Sequence, residues 1–295
     1  MRRSDKYPFE RIRELITVKV ENLIHTYSVG SPFEKTAVKE VSFELKSGDV
    51  MGIIGHTGSG KSTLVKHLNG LMKPTGGRVS VDGEDIFAKG YPMAKLRSRV
   101  GLVFQYPEYQ LFEETVEKDI AFGPKNMGCS EEETERRVKR AALFTGLSEE
   151  ELKASPFELS GGQKRRAALA GVLAMEPEAL ILDEPAAGLD PLSRRRIMKD
   201  ILGYAKETNA AILLVSHSME DIAAYTDKVA VMHSGSFVMQ GETREVFSRA
   251  EELAAYALSV PQVTKICSAV GCKETVLTVE EASASLVKML RGCGR

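Results

Sequence analysis

The stretch Gly55-His56-Thr57-Gly58-Ser59-Gly60-Lys61-Ser62-Thr63 constrains this chain more than any other. It follows an almost wholly apolar run, residues 50–55, and opens a helical pattern from Lys61 to about Met72. Glycines at 55, 58 and 60 let the backbone curl so that N–H groups converge on one anion. A helix that begins at the same point adds the positive end of its dipole. The spacing is that of a phosphate loop, G-x-x-x-x-G-K-[ST], in the strand-then-helix setting the chemistry requires. An accidental glycine-rich turn would have no reason to sit between those two elements. On this reading the amides of residues 55–63 cradle the polyphosphate of ATP. Lys61 binds the β- and γ-phosphates, the Ser62 hydroxyl ligates Mg²⁺, and Thr63 reaches the α-phosphate.

The rest of the chain repeats the alternation. Residues 99–105, 179–184 and 211–216 are further short apolar runs, as strands buried on both faces read. Helical patterns follow over about 192–207 and 219–225. The fold class is therefore α/β, a P-loop architecture with a mainly parallel core sheet. Residues 16–23, 38–45 and 77–83 instead alternate apolar and polar side chains, which predicts half-exposed, antiparallel strands. Residues 106–175 are mostly helical. Their clearest helix, 131–147, starts acidic and continues basic, and its charges read as a solvated face. After residue 248 a helical appendage begins, broken at Pro261 and resumed near Thr278, where Glu281 three residues on suggests a capping box. Three parts result: an extension at 1–16, a main domain at 17–247 with a helical subdomain at about 106–175, and the appendage at 248–295.

Composition narrows the function classes. The 295 residues carry 40 basic and 41 acidic side chains, a net charge of -1, so nothing pulls the chain generally toward nucleic acid or anionic lipid. No apolar run is long enough to span a bilayer, and the basic N-terminus lacks the apolar stretch of a secretory signal. The cysteines, Cys129, Cys267, Cys272 and Cys293, form no C-x-x-C pair, which points to a reducing cytoplasm rather than a metal site or disulfide framework.

Two further motifs carry chemistry. The apolar run at 179–184 ends in Asp183 and Glu184. Successive strand residues face opposite ways, so the two acids take different parts: Asp183 in the Mg²⁺ shell through a water, Glu184 orienting and polarising the attacking water. Between the phosphate loop and this pair lies Leu159-Ser160-Gly161-Gly162-Gln163, followed by a good helix. That is a second helix N-terminus offering a hydroxyl and N–H groups to an anion. A second such nest in one chain implies a second ligand or a site shared between subunits.

In this order the motifs resemble the ATP-binding-cassette (ABC) ATPases: the phosphate loop, Gln105 after an apolar strand, the Ser160–Gln163 signature, the acid pair, Ala187-Gly-Leu-Asp190-Pro191, and Ser216-His217. The resemblance covers roughly residues 17–245. It implies that two domains dimerise head to tail, with Ser160, Gly161, Gly162 and Gln163 contacting ATP in trans. It implies that Gln105 senses Mg²⁺ and the attacking water, that His217 contacts the γ-phosphate, and that Asp190 couples the two sites. It also implies an aromatic stacked on adenine, for which Tyr27 is the first candidate and Phe33 the second. Ala186 stands where many relatives carry Thr, at a position with no assigned chemistry.

The stretch from Gln105 to Asn126 resembles, more particularly, the ATPases of energy-coupling factor (ECF) transporters, importers of vitamins and of cobalt or nickel ions, and the second of their two A-type subunits. The resemblance implies a motor on the cytoplasmic face of the cell membrane, paired with another A-type ATPase as heterodimer or homodimer. It implies a transmembrane coupling subunit docked near Tyr106, Tyr109, Leu111 and Phe112, and a separate substrate-binding membrane subunit. The alternatives are the ATPase of another ABC transporter class and, after it, a non-transport ABC ATPase acting on nucleic acid or the ribosome. The short spacing between phosphate loop and signature leaves no room for a long coiled coil, and the chain carries one cassette.

Overall fold

The structure, a computed structural model, describes residues 15–272 and 274–292. Residues 1–14 of the expected extension, and Cys293, lie outside them. The strands are β1 (Thr17–Tyr27), β2 (Lys35–Lys46), β3 (Val50–Ile54), β4 (Gly76–Val81), β5 (Glu84–Asp85), β6 (Val100–Val103), β7 (Ala179–Asp183), β8 (Ala211–Val215), β9 (Lys228–His233) and β10 (Ser236–Glu242). The helices are α1 (Lys61–Leu68), α2 (Met93–Arg99), α3 (Val116–Asn126), α4 (Glu131–Thr145), α5 (Glu149–Lys153), α6 (Gly161–Leu173), α7 (Pro191–Thr208), α8 (Met219–Tyr225), α9 (Thr243–Ser248), α10 (Ala250–Ala255), α11 (Gln262–Ala269) and α12 (Val279–Gly292).

Two sheets form. The larger has the order β10-β9-β3-β8-β7-β6, parallel throughout except for the β9–β10 hairpin at its edge. The smaller, β2-β1-β4-β5, is antiparallel. The apolar runs explain the first sheet. β7 and β8 are buried at every residue, and their alternation sends successive side chains into different cores. Leu180, Leu182, Ile212 and Leu214 enter a core shared with α3, α4, α6 and α7. Ile181, Leu213 and Val215 enter the core that also holds Val18, Val20, Phe43 and Leu45 of the small sheet, and Leu64 and Leu68 of α1. The half-buried strands match their patterns for the same reason: Val18, Val20 and Leu23 of β1 and Val38, Val41, Phe43 and Leu45 of β2 face that second core, with the alternation interrupted by irregularities at Asn22 and Glu40.

Helix starts follow the capping rules. Thr115, Ser130, Ser148, Ser160, Asp190 and Ser218 each accept a backbone N–H with the side chain. At α12 the expected box is half present. Glu281 N donates to Thr278 Oγ1 at 3.2 Å, but the Glu281 carboxylate turns to Leu277 N at 2.9 Å and to Arg244. An ion pair to α9 outcompetes the local bond. The break between α10 and α11 also starts earlier than Pro261, at Tyr256. The edge hairpin β9–β10 is an addition to the elements expected from the sequence.

Candidate nucleotide site

The loop after β3 is built on glycines that its own surroundings demand. A Cβ at Gly55 would stand 2.3 Å from Met232 O, and one at Gly60 would stand 2.3 Å from Ala37 O. Gly60 also has φ +111, outside the range of ordinary side chains. The turn therefore presses against β9 on one side and β2 on the other. Lys61, buried at the start of α1, folds back to donate to Gly55 O at 2.6 Å and His56 O at 3.0 Å. Burial pushes its ammonium pKa down, while Glu184 and Asp183 pull it up. Ser59 is buried with its Oγ unpartnered.

A cavity of 740 Å³ opens over this loop. Gly55, His56, Thr57, Gly58, Gly60, Lys61, Ser62 and Thr63 line it, together with Tyr27, Gln105, Asp183, Glu184 and His217. The sheet explains the convergence. β3, β6, β7 and β8 run parallel, so their C-terminal ends lie along one edge and deliver residues distant in sequence to one place. Asp183 is buried and hydrogen-bonded by the Ser62 hydroxyl, and burial pushes its carboxyl pKa up. Glu184 is turned out of the strand by a left-handed backbone, φ 53. Its Oε2 accepts from Nδ1 of the exposed His217 at 2.7 Å. Burial pushes the Glu184 pKa up as well, against the pull of that bond.

Hard oxygen donors, Ser62 and Asp183, side by side at a phosphate-sized nest fit Mg²⁺. Among the described residues no three His, Cys, Asp or Glu side chains cluster as a dedicated metal cage.

Of the two aromatics considered for adenine, Tyr27 lines the cavity. Its hydroxyl lies 3.0 Å from Thr63 Oγ1, and its ring meets His25 edge-on at 4.6 Å. Phe33 is 84% exposed and does not line it. Lys35, Ala37, Met219, Ala257 and Leu258 complete the wall. Sequence reasoning missed these last two because they come from the appendage, past any nucleotide motif.

The signature stands apart. Ser160 caps α6 by accepting from Gln163 N at 3.4 Å, while Ser160 N donates to Gln163 Oε1 at 2.8 Å. Gln163 Nε2 in turn donates to Glu151 Oε1 at 2.7 Å. None of Ser160, Gly161, Gly162 and Gln163 lines the cavity over the phosphate loop. Gly161 has no left-handed φ, and a Cβ there would meet nothing within 4 Å. Asp190 is likewise outside the cavity, exposed, and caps α7 through Leu192 N and Ser193 N, both at 3.0 Å. A hydrogen bond from the Ser193 side chain, together with these backbone bonds, holds its carboxyl pKa below the ordinary value.

A second concavity, a groove of 800 Å³, runs beside α3 and α6. Leu71, Phe104, Leu111, Phe112, Phe122 and Met127 give it an apolar floor. Phe112 and Phe122 are exposed and meet edge to face at 5.1 Å. Asp119 shapes the wall by accepting Phe112 N and Glu113 N, each at 3.2 Å. Of the aromatics expected at a docking face, Phe112 lies in the groove, while Tyr106 and Tyr109 do not. Among the described residues no helix is long and apolar enough to cross a membrane.

Comparison with known proteins agrees with this layout. Residues 38–187 match the family model described as ABC transporter. The energy-coupling factor transporter ATP-binding protein EcfA2 of Clostridium tetani is 52% identical over 280 residues, covering 93% of this chain and 97% of that one. Among solved structures, cbiO1 of Clostridium perfringens, described as part of the ABC transporter complex cbiONQ, superposes with a TM-score of 0.72. It is 39% identical, over 86% of this chain and 98% of its own. A dimeric post-hydrolysis ATP-binding cassette, MJ0796 with ADP and Pi, is 27% identical over 77% of this chain and 99% of its own, with a TM-score of 0.69.

Proposed function

We propose a working for this site from one premise: the chain belongs to the ABC transporter ATP-binding proteins, in their energy-coupling factor branch. It is an ATPase subunit whose hydrolysis of ATP is coupled to transport. Its place is the cytoplasmic face of a membrane, where it pairs with a second ATPase subunit and drives membrane subunits that import a vitamin or a transition-metal ion.

The observation that carries the pairing is the position of the signature. It is exposed at a capped helix start, away from the cavity of its own chain, with a glycine that nothing in this chain requires. Bare amides at an exposed helix start favour an anion, and a head-to-tail neighbour would supply it as the γ-phosphate of its own ATP. The 800 Å³ groove offers an apolar floor for a helix of the coupling subunit.

Within one site, the amides of residues 55–63 hold the polyphosphate and Tyr27 offers its ring to adenine. Lys61 exchanges the Gly55 and His56 carbonyls for β- and γ-phosphate oxygens. Ser62 and Asp183 would hold Mg²⁺, Asp183 through a water, and the ion would neutralise charge on the β- and γ-phosphates. Glu184, kept basic by burial, polarises the attacking water. His217 steadies Glu184 through Nδ1 and turns toward the γ-phosphate. Gln105 lines the same cavity at the foot of the segment leading to the groove, so nucleotide contacts there bias the groove's position. Asp190, at the start of α7, faces the neighbouring subunit and links the two sites.

Co-expression with the neighbouring subunits and reconstitution in vesicles tests this reading. Uptake that requires ATP on the face bearing this chain supports it. A purified chain that stays monomeric with ATP when hydrolysis is blocked, in the presence of its pairing subunit, would refute the shared site.

A further inference from the structure

Arg165 lies on the inner side of α6, one turn after the signature, and its side chain is 3% exposed. Its guanidinium holds three segments. Nε and Nη2 form a fork onto Glu108, at 2.9 and 2.5 Å. Nη1 donates to the main-chain carbonyls of Ala187 and Pro185. Its carbon lies 5.5 Å from the centre of the Tyr106 ring. That ring also borders the glycine turn before Asp190: a Cβ on Gly188 would stand 3.6 Å from its Cε1.

Those segments have separate tasks. Glu108 and Tyr106 follow Gln105 and lead to the groove. Pro185 and Ala187 belong to the turn that carries Glu184, a turn whose left-handed φ of 53 needs outside support. Helix α6 presents Ser160 and the signature glycines. A buried ion pair is a weak source of stability, and a hydrocarbon of similar size would fill this position as well. What a hydrocarbon cannot do is bond a carboxylate and two carbonyls on different segments in one fixed plane.

We propose that Arg165 is a positioning residue that makes the groove segment, the Glu184 turn and the signature helix move as one body. The inference rests on the shared-site reading. On it, Glu184 serves this chain's own nucleotide and the signature serves the neighbour's, so Arg165 joins the two ATP sites to each other and both to the membrane subunits. It touches no nucleotide, and its loss acts on coupling before it acts on binding.

The test uses the complete reconstituted complex with Arg165→Lys, Arg165→Gln and Glu108→Gln. Lysine keeps the charge but cannot reach Glu108 and both carbonyls together. The expected result is ATP affinity within about twofold of wild type for all three, and substrate imported per ATP lowered about two- to thirtyfold. The ATP dependence of turnover loses its cooperativity, most in Arg165→Gln and least in Glu108→Gln. A purely structural role would lower the melting temperature, with hydrolysis and transport falling together and the yield per ATP unchanged; that outcome overturns the proposal. So does a normal yield in Arg165→Gln. A wild-type complex that hydrolyses ATP without importing anything would instead refute the transport reading on which the proposal stands.

Discussion

The two helix starts proposed to bind phosphate, at Lys61 and at Ser160, are made from the same materials and finished to different degrees. Both set small residues at the N-terminus of a helix. In the phosphate loop every demand is internal: Gly55 and Gly60 are fixed by the carbonyls of Met232 and Ala37, and Lys61 closes on the loop's own oxygens. At the signature, the side chains of Ser160 and Gln163 satisfy each other, and Gly161 answers to nothing in the chain. A glycine at the first turn of a helix costs stability relative to alanine. Glycines demanded from within mark a site that one chain builds alone. On the shared-site reading proposed above, Gly161 is instead kept free for the neighbouring subunit's phosphate.

The largest test of this contrast is Lys61→Ala, which removes the charge at the centre of the self-contained nest. We expect nucleotide binding to disappear in a calorimetric titration; unchanged affinity would put the nucleotide elsewhere. Next, Glu184→Gln should leave binding intact and slow turnover about 10²- to 10⁴-fold, as loss of a positioned base does. Retained wild-type turnover would remove Glu184 from that role.

Alanine at the two kinds of glycine sharpens the comparison. Gly60→Ala should destabilise the fold by at least about 1–3 kcal/mol, the range of a strained left-handed residue, with the clash of the new Cβ against Ala37 O adding to it. Gly161→Ala should instead stabilise the chain by about 0.4–1 kcal/mol. It should nonetheless lower turnover of the assembled pair by up to about a hundredfold, because a methyl would displace the neighbour's phosphate. Thermal melts and steady-state rates on the same preparations separate the two. A destabilised Gly161→Ala would mean the chain itself requires that glycine.

The smaller effects lie in pH. Burial raises the pKa values of Asp183 and Glu184 above their ordinary 3.8 and 4.5. The folded, nucleotide-free protein therefore binds protons there more tightly than the unfolded chain. That contribution favours the fold below the ordinary values and is lost as pH rises through the raised ones. Asp183→Asn should consequently melt higher than wild type at neutral pH without nucleotide, with the advantage shrinking in acid. His67 has the opposite sign. It is buried against His25, Nε2 to Nδ1 at 3.0 Å, and burial pushes its pKa from 6.5 down to about 4. The stability it lends is present above pH 6.5 and lost as pH falls toward 4. His67→Gln should flatten the melting-temperature slope in that window.

Much of this was legible in the residues. An apolar run of four or five residues, too short for a helix and rich in Ile, Leu and Val, reads as a strand covered on both sides, so β7, apolar up to Asp183, and β8 stand where their composition puts them. The spacing of Gly55, Gly60, Lys61 and Ser62 states its own chemistry, because a curled backbone followed by a helix has one common use. The half-formed box at Thr278 was not legible, since Arg244, distant in sequence, decides where the Glu281 carboxylate goes. Nor was Arg165. In sequence it is one basic residue among three consecutive ones, and its burial becomes visible once Glu108 and the Ala187 carbonyl are brought to it.

The sequence by itself determined the phosphate nest, the acid pair and the alternation of strand and helix, because each depends on neighbours within a few residues. The tertiary structure alone decided that Tyr27 rather than Phe33 faces the cavity and that Ala257 and Leu258 help wall it. It alone also decided that the signature stands outside the cavity of its own chain. Those are relations between segments far apart along the chain, set by the order of strands in the parallel sheet and by which face of each helix the two cores bury.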